Sequence, residues 1–237
     1  MPALYTKLAR LYHEMYQSIF DYHAQFQTAH AIFKTRSARR VLELGCGAGN
    51  LAPWFEAAGY DYTGMDAAAP MLAIARREHP TSRFVRGDMR RFTVRRRVDA
   101  VLVAGRTFSY MTSNEDVLRA LRRIRQSLRP GGVLVFDSFD ARTIFAELSH
   151  PVRDVVRVGD KTISRVSTRS ANLRTGWTWN WHATYVVEEG RQRRTFRDRS
   201  VLRAFTRDEL TLFLTLAGFR SVRLRKRGAV FLTVAQA

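Results

Sequence analysis

The stretch V-L-E-L-G-C-G-A-G-N, residues 41–50, joins an apolar segment to a turn that contains three glycines. The apolar part predicts a buried strand, and the glycines let the backbone of the turn approach a ligand closely. Residues 50–58 have the composition of a helix, and its N terminus would present free N–H groups beside the turn. This order of strand, turn and helix predicts a ligand site at the carboxyl end of the strand.

Predicted strands and helices alternate after the glycine turn. The strands fall at 60–66, 83–88, 98–103 and 133–137, and the helices at 69–78 and 114–128. Arg129-Pro130-Gly131-Gly132 predicts a sharp helix stop and turn before the last of these strands. Because several strands are almost continuously apolar, the pattern predicts a parallel sheet with helices on both faces.

Two stretches lie outside this alternation. Apolar and aromatic residues within 4–26 recur at spacings of three and four, which predicts a helical N-terminal segment. In the second half of the chain, a short helix near 143–148 precedes residues 152–204, where apolar and polar residues alternate between turn signals. That alternation is typical of antiparallel strands.

The end of the chain returns to the first pattern. Thr206 and Glu209 form a capping box for a helix over 206–217, and residues 221–225 and 229–234 predict a final antiparallel pair. We therefore expect three parts: an N-terminal helical segment covering the site (1–38), an α/β core (39–137 and 205–237) and an inserted, mostly antiparallel β lid (138–204).

Carboxylates follow the second and third predicted strands. Asp66 ends the second strand, where it can accept hydrogen bonds from both hydroxyls of a ribose. Asp88 ends the third strand, where its side chain and backbone can meet the edge of an adenine. The glycine spacing is G-x-G-x-G, without the third glycine of the dinucleotide fingerprint and without a Walker lysine. The pattern indicates a nucleoside-binding site.

Four segments carry a family resemblance. E-L-G-C-G-A-G-N, G-M-D-A, G-D-M and L-R-P-G-G-V-L-V-F-D resemble the successive motifs of class I S-adenosylmethionine-dependent methyltransferases. The likeness covers residues 41–137 and returns at 205–219. It implies a Rossmann-like α/β fold with a seven-stranded mixed sheet in the order 3-2-1-4-5-7-6, and S-adenosylmethionine as the cofactor. That cofactor has no phosphates, which agrees with the missing Walker lysine.

The resemblance also implies a set of cofactor-binding residues. The methionine moiety would be surrounded by Glu43, Gly45, Gly47 and Gly49, the ribose would bind Asp66, and the adenine would meet Asp88 and Met89. Ala104 and Gly105, which end the fourth strand, would lie beside the sulfonium. Met71 is either an apolar wall for the base or an ordinary core residue.

Candidates for the acceptor side are three tyrosines and a histidine. Tyr12 and Tyr16 lie one helical turn apart, and Y-H-E-M-Y resembles a paired-tyrosine segment of small-molecule N-methyltransferases; amphipathic packing is the alternative. Tyr110 stands in R-T-F-S-Y-M, which is similar to a region bordering the acceptor in aminosugar and glycine/sarcosine-type N-methyltransferases. His182, in the lid, is either a general base or a structural residue.

The resemblance implies methyl transfer by in-line displacement, in which orientation and exclusion of water supply most of the catalysis. A small-molecule acceptor is the leading hypothesis, with an amine nitrogen favoured over an oxygen. No D-P-P-Y or N-P-P-Y follows the fourth strand, which argues against adenine-N6 and glutamine methylation, and no metal cluster is expected. An RNA methyltransferase and a non-catalytic cofactor-binding protein are the alternatives.

The composition does not identify the binding partner of the protein. The 237 residues include 40 Lys+Arg and 21 Asp+Glu, a formal charge of +19 that reflects either compositional bias or an anionic partner, such as a nucleotide-linked amino sugar or a nucleic acid. The single cysteine, Cys46, excludes an internal disulfide. Neither a signal peptide nor a transmembrane span is indicated, so a cytoplasmic location without membrane partners is expected.

Three tryptophans alternate along one predicted strand of the lid. Trp177, Trp179 and Trp181 therefore share one face of that strand. The face is a hydrophobic seam or dimer surface, which would allow a homodimer through the lid, or else a stacking surface for an aromatic acceptor or an RNA base.

Overall fold

The computed structural model describes residues 2–237. Seven α-helices and eleven β-strands form this part of the chain: α1 (Ala9–Ile19), α2 (Tyr22–Lys34), β1 (Arg40–Leu44), α3 (Ala52–Ala57), β2 (Asp61–Asp66), α4 (Ala69–Glu78), β3 (Phe84–Arg86), β4 (Val98–Val103), α5 (Asn114–Ser127), β5 (Leu128–Asp140), α6 (Ala141–Ala146), β6 (Val152–Val158), β7 (Lys161–Ala171), β8 (Trp177–Glu189), β9 (Gln192–Phe205), α7 (Arg207–Leu216), β10 (Arg220–Arg227) and β11 (Val230–Gln236). Two short 3-10 helices, Ala3–Tyr5 and Thr107–Tyr110, complete the secondary structure.

The core sheet has the predicted order. Strands β3, β2, β1, β4 and β5 pair in parallel, β11 pairs antiparallel with β5, and β10 pairs antiparallel with β11. Numbered along the core alone, this is the order 3-2-1-4-5-7-6, so the predicted Rossmann-like α/β fold is confirmed. The reversal of order beside β1 leaves a crevice at the carboxyl ends of β1 and β4, where ligands bind in such sheets.

Strand β5 differs from the prediction. The strand begins at Leu128, directly after α5, so Arg129–Gly132 lies within it, whereas the sequence predicts a separate turn there. The irregularity is instead absorbed within the strand, by a positive φ at Gly131 and by a register shift against β4. At its other end, Phe139 and Asp140 pair in parallel with β9.

The predicted lid is therefore part of the same sheet. Strands β6, β7, β8 and β9 form an antiparallel meander that continues from the end of β5. Trp179 is fully buried, with its ring centroid 5.6 Å from that of Phe139 in an edge contact. Trp177 packs on Phe145 of α6 but is 39% exposed. Trp179 thus packs in a hydrophobic seam against the core, while a stacking role for this face stays a prediction.

The N-terminal segment is helical, as predicted, but it divides into two helices. Asp21 accepts a hydrogen bond from the Ala24 N–H at 2.8 Å and caps α2, which separates it from α1. In α1, Met15 and Tyr16 pack on the lid, whereas Phe33 of α2 packs on the core sheet. Helix α1 therefore packs the N-terminal segment against the lid, and it lies above the carboxyl ends of the core strands.

Candidate active site

A cavity of about 430 Å³ lies at the carboxyl ends of β1, β2 and β4. Its wall contains ten of the fourteen residues singled out from the sequence: Tyr12, Glu43, Gly45, Gly47, Asp66, Asp88, Met89, Ala104, Gly105 and Tyr110. The N-terminal segment adds Tyr5, Phe20 and Tyr22 to the wall. The fold thus brings eight of the ten predicted cofactor residues and two of the four predicted acceptor residues to one cavity.

The glycine turn after β1 forms one side of this cavity. The N–H groups of Gly45 and Cys46 both donate to the carbonyl of Met65, at 2.7 and 3.1 Å, which ties the turn to the end of β2. Gly45 has a φ of +75°, and a Cβ atom at this position would lie 2.3 Å from Cγ2 of Thr107. Only glycine therefore fits between the turn and the loop after β4.

Asp66 is fixed by the backbone. Its two carboxylate oxygens accept hydrogen bonds from the N–H groups of Gly47, at 2.9 Å, and Ala68, at 2.8 Å. Burial raises the pKa of Asp66, and these backbone hydrogen bonds oppose the rise. Each oxygen keeps lone-pair capacity for a further donor, such as a hydroxyl of a bound ribose.

Glu43 is a buried carboxylate, only 4% exposed, in the cavity wall. The Tyr62 hydroxyl donates a 2.5 Å hydrogen bond to it. Burial raises the pKa of Glu43 to about 7, although the Tyr62 hydrogen bond lowers it. Glu43 takes part in none of the ion pairs found within residues 2–237. A ligand cation would stabilise its ionised form.

Asp88 lies in a different environment because it has a cationic partner. The Arg90 guanidinium donates to both carboxylate oxygens, at 2.9 and 2.6 Å, and also binds Asp116 at 3.1 Å. These contacts hold the pKa of Asp88 below its ordinary range. Arg90 also lines the cavity and was not among the predicted residues, although its position two residues after Asp88 was a usable signal.

Three tyrosines form the opposite wall. The hydroxyls of Tyr5 and Tyr110 are 2.9 Å apart, and the ring of Tyr5 lies 5.1 Å from that of Tyr12 in an edge contact. Sequence reasoning missed Tyr5, although it precedes Tyr12 by two helical turns and so falls on the same face of the predicted helix. Burial raises the pKa of all three phenols, which keeps their hydroxyls protonated.

Four predicted site residues lie outside the cavity wall. Gly49 packs against Phe84, and Met71 lies behind the glycine turn, 3.4 Å from the ideal Cβ position of Gly47. Tyr16 stacks on Tyr12 at 4.3 Å and hydrogen-bonds Arg165, while His182 is exposed on the lid, beside Thr168 and Arg199 in the strand register. Ligand contacts of these four residues stay predictions.

The described residues hold no group of three or more histidine, cysteine, aspartate and glutamate side chains placed to bind a metal ion. Among the helices of residues 2–237, none is long and apolar enough to cross a membrane.

This set of groups fits a cationic nucleoside. Glu43 and Asp66 offer acceptors to an ammonium and to hydroxyls, Met89 offers a polarisable apolar surface, and the glycine turn leaves room at the backbone. A phosphate-binding lysine is absent from the described cavity wall. The sheet order and these residues fit an S-adenosylmethionine-dependent methyltransferase.

Comparison with known proteins supports this class of enzyme. Residues 41–132 match the family described as methyltransferase domain. The chain is 29% identical over 187 residues to dTDP-3-amino-3,4,6-trideoxy-alpha-D-glucopyranose N,N-dimethyltransferase of Streptomyces venezuelae, across 79% of this chain and 78% of that protein. The crystal structure of Streptomyces venezuelae DesVI superposes with a TM-score of 0.82 at 27% identity, over 91% of each chain.

A second solved structure shows a relative with the cofactor bound. CalS10, an amino pentose methyltransferase from Micromonospora echinaspora whose structure contains S-adenosylmethionine, superposes with a TM-score of 0.80 at 25% identity. The superposition covers 96% of this chain and 97% of that chain. The present chain is a methyltransferase, and its cofactor is S-adenosylmethionine.

Proposed function

We propose that this enzyme transfers a methyl group from S-adenosylmethionine to the amino nitrogen of a small sugar acceptor. The observation that carries the proposal is that Tyr5 and Tyr110 line the same cavity as Ala104 and Gly105. Hydroxyl oxygens can accept hydrogen bonds from the N–H groups of an amine and orient its lone pair. Similarity to a dTDP-aminosugar N,N-dimethyltransferase and to an amino pentose methyltransferase supports this choice.

The carboxylates of the cavity wall suggest an orientation for the cofactor. We assign its methionine ammonium to Glu43 and the glycine turn, its ribose to Asp66, and its adenine to Asp88 and Met89. In this arrangement the sulfonium lies beside Ala104 and Gly105, which faces the methyl group toward the tyrosines. The carboxylate of Glu43 supports the assignment. It is buried in the cavity wall, and no cation pairs with it among the described residues.

The bound cofactor supplies a methyl group on a positively charged sulfur. The protein then contributes by binding and orienting the two reactants and by keeping water out, which can lower the barrier by roughly 7 to 11 kcal/mol. The N-terminal segment (1–38) and the β lid (138–204) would cover the cavity from above, and the core (39–137 and 205–237) would hold the cofactor. A neutral amine needs no strong base in the transfer step.

Arg106 is the proposed contact for an anionic part of the acceptor, such as the diphosphate of a nucleotide-linked sugar. Its guanidinium lies between the rings of Phe20 and Phe139, 5.1 and 5.6 Å from their centroids, and Phe20 lines the cavity. It makes none of the ion pairs found within residues 2–237, and its buried Nε lacks a hydrogen-bond partner there. Arg106 is itself outside the described cavity wall, and its charge lowers the pKa of the buried Asp137 against the larger rise caused by burial. Its remaining hydrogen-bonding capacity suits a phosphate oxygen.

The outer face of the lid is the proposed homodimer surface. Val155, Val166 and Val201 are exposed there, at 68%, 36% and 42%. An association through this face would leave the cavity open, because the cavity lies on the other side of the lid. Light scattering of the purified protein tests the dimer, and the Val155→Glu variant should be monomeric. We also propose that the enzyme acts in the cytoplasm.

A methyl-transfer screen tests the function. Cofactor labelled in the methyl group is offered dTDP-3-amino-3,6-dideoxyglucose, the same sugar with a hydroxyl in place of the amine, simple amines and bulk RNA. We expect label on the nitrogen of the amino sugar alone. Label in RNA that persists at about 200 mM salt would overturn the proposal in favour of RNA methylation.

Two variants support the screen. Asp66→Ala should lose most cofactor binding in calorimetry, whereas Asp61→Ala, on the exposed start of the same strand, should bind as the wild type does. Arg106→Gln should weaken binding of the nucleotide-linked sugar about tenfold and leave a free amino sugar unaffected, since only the former carries phosphates. Equal weakening of both acceptors would contradict the anionic assignment.

A further inference from the structure

Strand β10 is an edge of the core sheet, and its two faces carry different side chains. Val222 and Leu224 pack against the core cluster that contains α5 and α7. The residues that alternate with them, Arg223, Arg225 and Arg227, are exposed. Successive side chains of a strand point to opposite faces, so these three arginines form a row on the other face of the sheet. We call this row the arginine stripe.

The strand register shows what lies beside the arginine stripe. Its three residues are paired, in order, with Val234, Leu232 and Val230 of β11. Directly opposite residues of antiparallel strands share a face, so a row of aliphatic side chains runs alongside the arginines. These aliphatic residues are half-buried, and Leu232 and Val234 pack against the cluster that contains α2. The α2 face of the sheet therefore has a basic row at its edge and an apolar row next to it.

The apolar row forms part of a groove of about 190 Å³. Val230 and Leu232 line the groove from β11, and Thr28 lines it from α2, while Arg227 contributes the end of the arginine stripe. The groove adjoins the active-site cavity, because Gln25 and Ala104 line both. An apolar channel is thus left between α2 and the arginine stripe.

The charge of the arginine stripe has no counterpart nearby. None of its three arginines takes part in the ion pairs found within residues 2–237, whereas Lys226, on the opposite face of β10, pairs with Asp140 at 2.6 Å. Helix α2 contains no acidic residue. Asp137 lines the groove, but it accepts a 2.7 Å hydrogen bond from the backbone N–H of Arg106. Acidic groups that bind the arginine stripe would have to come from another molecule.

The spacing of the arginine stripe matches that of a helix. Alternate side chains of a strand are about 6.6 Å apart, and residues four apart in an α-helix are separated by about 6.0 Å along its axis. Carboxylates at every fourth position of a helix that lies along β10 would therefore meet successive arginines. Apolar residues three positions after each carboxylate lie beside them on the helix surface and would cover the aliphatic row.

We propose that this groove binds an amphipathic helix of a partner protein, with acidic residues on the arginine stripe and apolar residues on the aliphatic row. Such helices bind by laying their apolar face into a groove. A nucleic acid fits less well, because the aromatic residue in the lining, Phe136, is only 1% exposed and offers no ring for a base to stack on. The inference does not depend on which acceptor the enzyme methylates.

A synthetic peptide tests the proposal on the full-length protein. It has about 18 residues, with three glutamates at every fourth position, a leucine three positions after each glutamate, and mainly alanine elsewhere. We expect saturable binding in calorimetry at about 150 mM salt, with a Kd below about 100 μM. A peptide of the same composition with its glutamates spread around the helix should bind at least tenfold more weakly, and so should one with glutamine in place of glutamate.

Two variants separate the arginine stripe from the groove. Arg225→Glu reverses the central charge and should weaken peptide binding at least tenfold. Arg194→Glu is the matched control, since it changes the charge equally on an exposed residue of β9, about 33 Å along the strand from Ala204, where β9 pairs with β5. It should change the affinity less than about twofold, because salt screens charges beyond about 8 Å. Thr28→Trp fills the groove without a change of charge and should weaken binding at least fivefold.

Arg225→Glu should bind the demethylated cofactor and transfer methyl groups as the wild type does, which shows that it is folded. If Thr28→Trp does not fold, Arg225→Glu and the two control peptides carry the test. Equal binding of the two peptides of identical composition would overturn the proposal and leave the arginines as a charged edge that prevents strand pairing with other chains.

Two other ligands complete the experiment. Binding of oligouridine that is lost in Arg225→Glu, without binding of the peptide, would assign the arginine stripe to nucleic acid. A KM for the nucleotide-linked amino sugar that rises in Arg225→Glu, with that for the free amino sugar unchanged, would assign it to the acceptor. Either result would overturn the proposal. A failure of the wild type to methylate any amine would refute the proposed function and leave the peptide result standing.

Discussion

The two walls of the cavity are built in different ways. On the cofactor side, Asp66 is held by N–H groups of Gly47 and Ala68, and Asp88 by Arg90, so each partner is within about twenty residues along the chain. On the acceptor side, Tyr5 meets Tyr110, and Leu4 meets Asp198, across 105 and 194 residues. The difference teaches that the proposed cofactor contacts are encoded locally, whereas the proposed acceptor contacts depend on how the lid and the N-terminal segment pack.

The largest effect should come from the packing of the lid. Trp179→Ala removes a fully buried side chain between β8, β5 and α6, and we expect the free energy of unfolding to fall by about 3–5 kcal/mol. Denaturation in urea measures the loss. Trp177→Ala, on the same strand but 39% exposed, should cost clearly less.

The Trp179→Ala variant also tests whether the two walls bind their ligands independently of each other. If they are, folded Trp179→Ala protein should bind the demethylated cofactor nearly as the wild type does and lose acceptor binding. A parallel loss of both affinities, measured by calorimetry below the unfolding transition, would show that the walls depend on each other and would break the comparison.

The next effect concerns the glycine turn. Gly45→Ala would place a methyl group 2.3 Å from Thr107 at a φ of +75°, so the turn must shift and cofactor affinity should fall at least tenfold. Gly59→Ala is the matched control, because Gly59 has a φ of +80° and no atom within 4 Å of its Cβ position. It should lose about 1 kcal/mol of stability and keep cofactor affinity. Equal affinity in both variants would place the cofactor elsewhere.

The smallest effect is the pH dependence due to Glu43. The pKa of Glu43 is raised to about 7 in the folded protein. The stability that Glu43 contributes is therefore fully present at acid pH, below the pKa that it has in the unfolded chain. This stability is lost as the pH rises through 7. Cofactor affinity should change in the opposite direction and rise several-fold between about pH 6 and 7.5, since the ionised carboxylate pairs with the cofactor ammonium.

Glu43→Gln removes both trends. Its unfolding free energy and its cofactor affinity should vary less with pH than those of the wild type across this window. The paired measurements are urea denaturation and calorimetry at matched pH values. A wild-type affinity that is flat between about pH 6 and 7.5 would contradict the contact between Glu43 and the cofactor ammonium.

The contrast between the walls also explains what the sequence could predict. The alternating patterns predicted a parallel sheet covered by helices, its strand order was implied by the family resemblance, and Gly45 and Asp66 stood in motifs whose spacing is local. Tyr5 and Asp198 could not be found in this way, because their meeting depends on strand register in the lid and on a 3-10 helix at Ala3–Tyr5. The start of β5 at Leu128 was missed because a strand with a positive φ at Gly131 reads as a turn in sequence.

Strand β5 has a consequence for how a substrate enters. Because its last two residues pair with β9, the lid cannot swing away without breaking hydrogen bonds of a continuous sheet. The N-terminal 3-10 helix is held to the lid by fewer bonds, among them that from the Leu4 N–H to Asp198. Of these two contacts, the one made by the 3-10 helix at Ala3–Tyr5 is therefore the easier to open when an acceptor is exchanged.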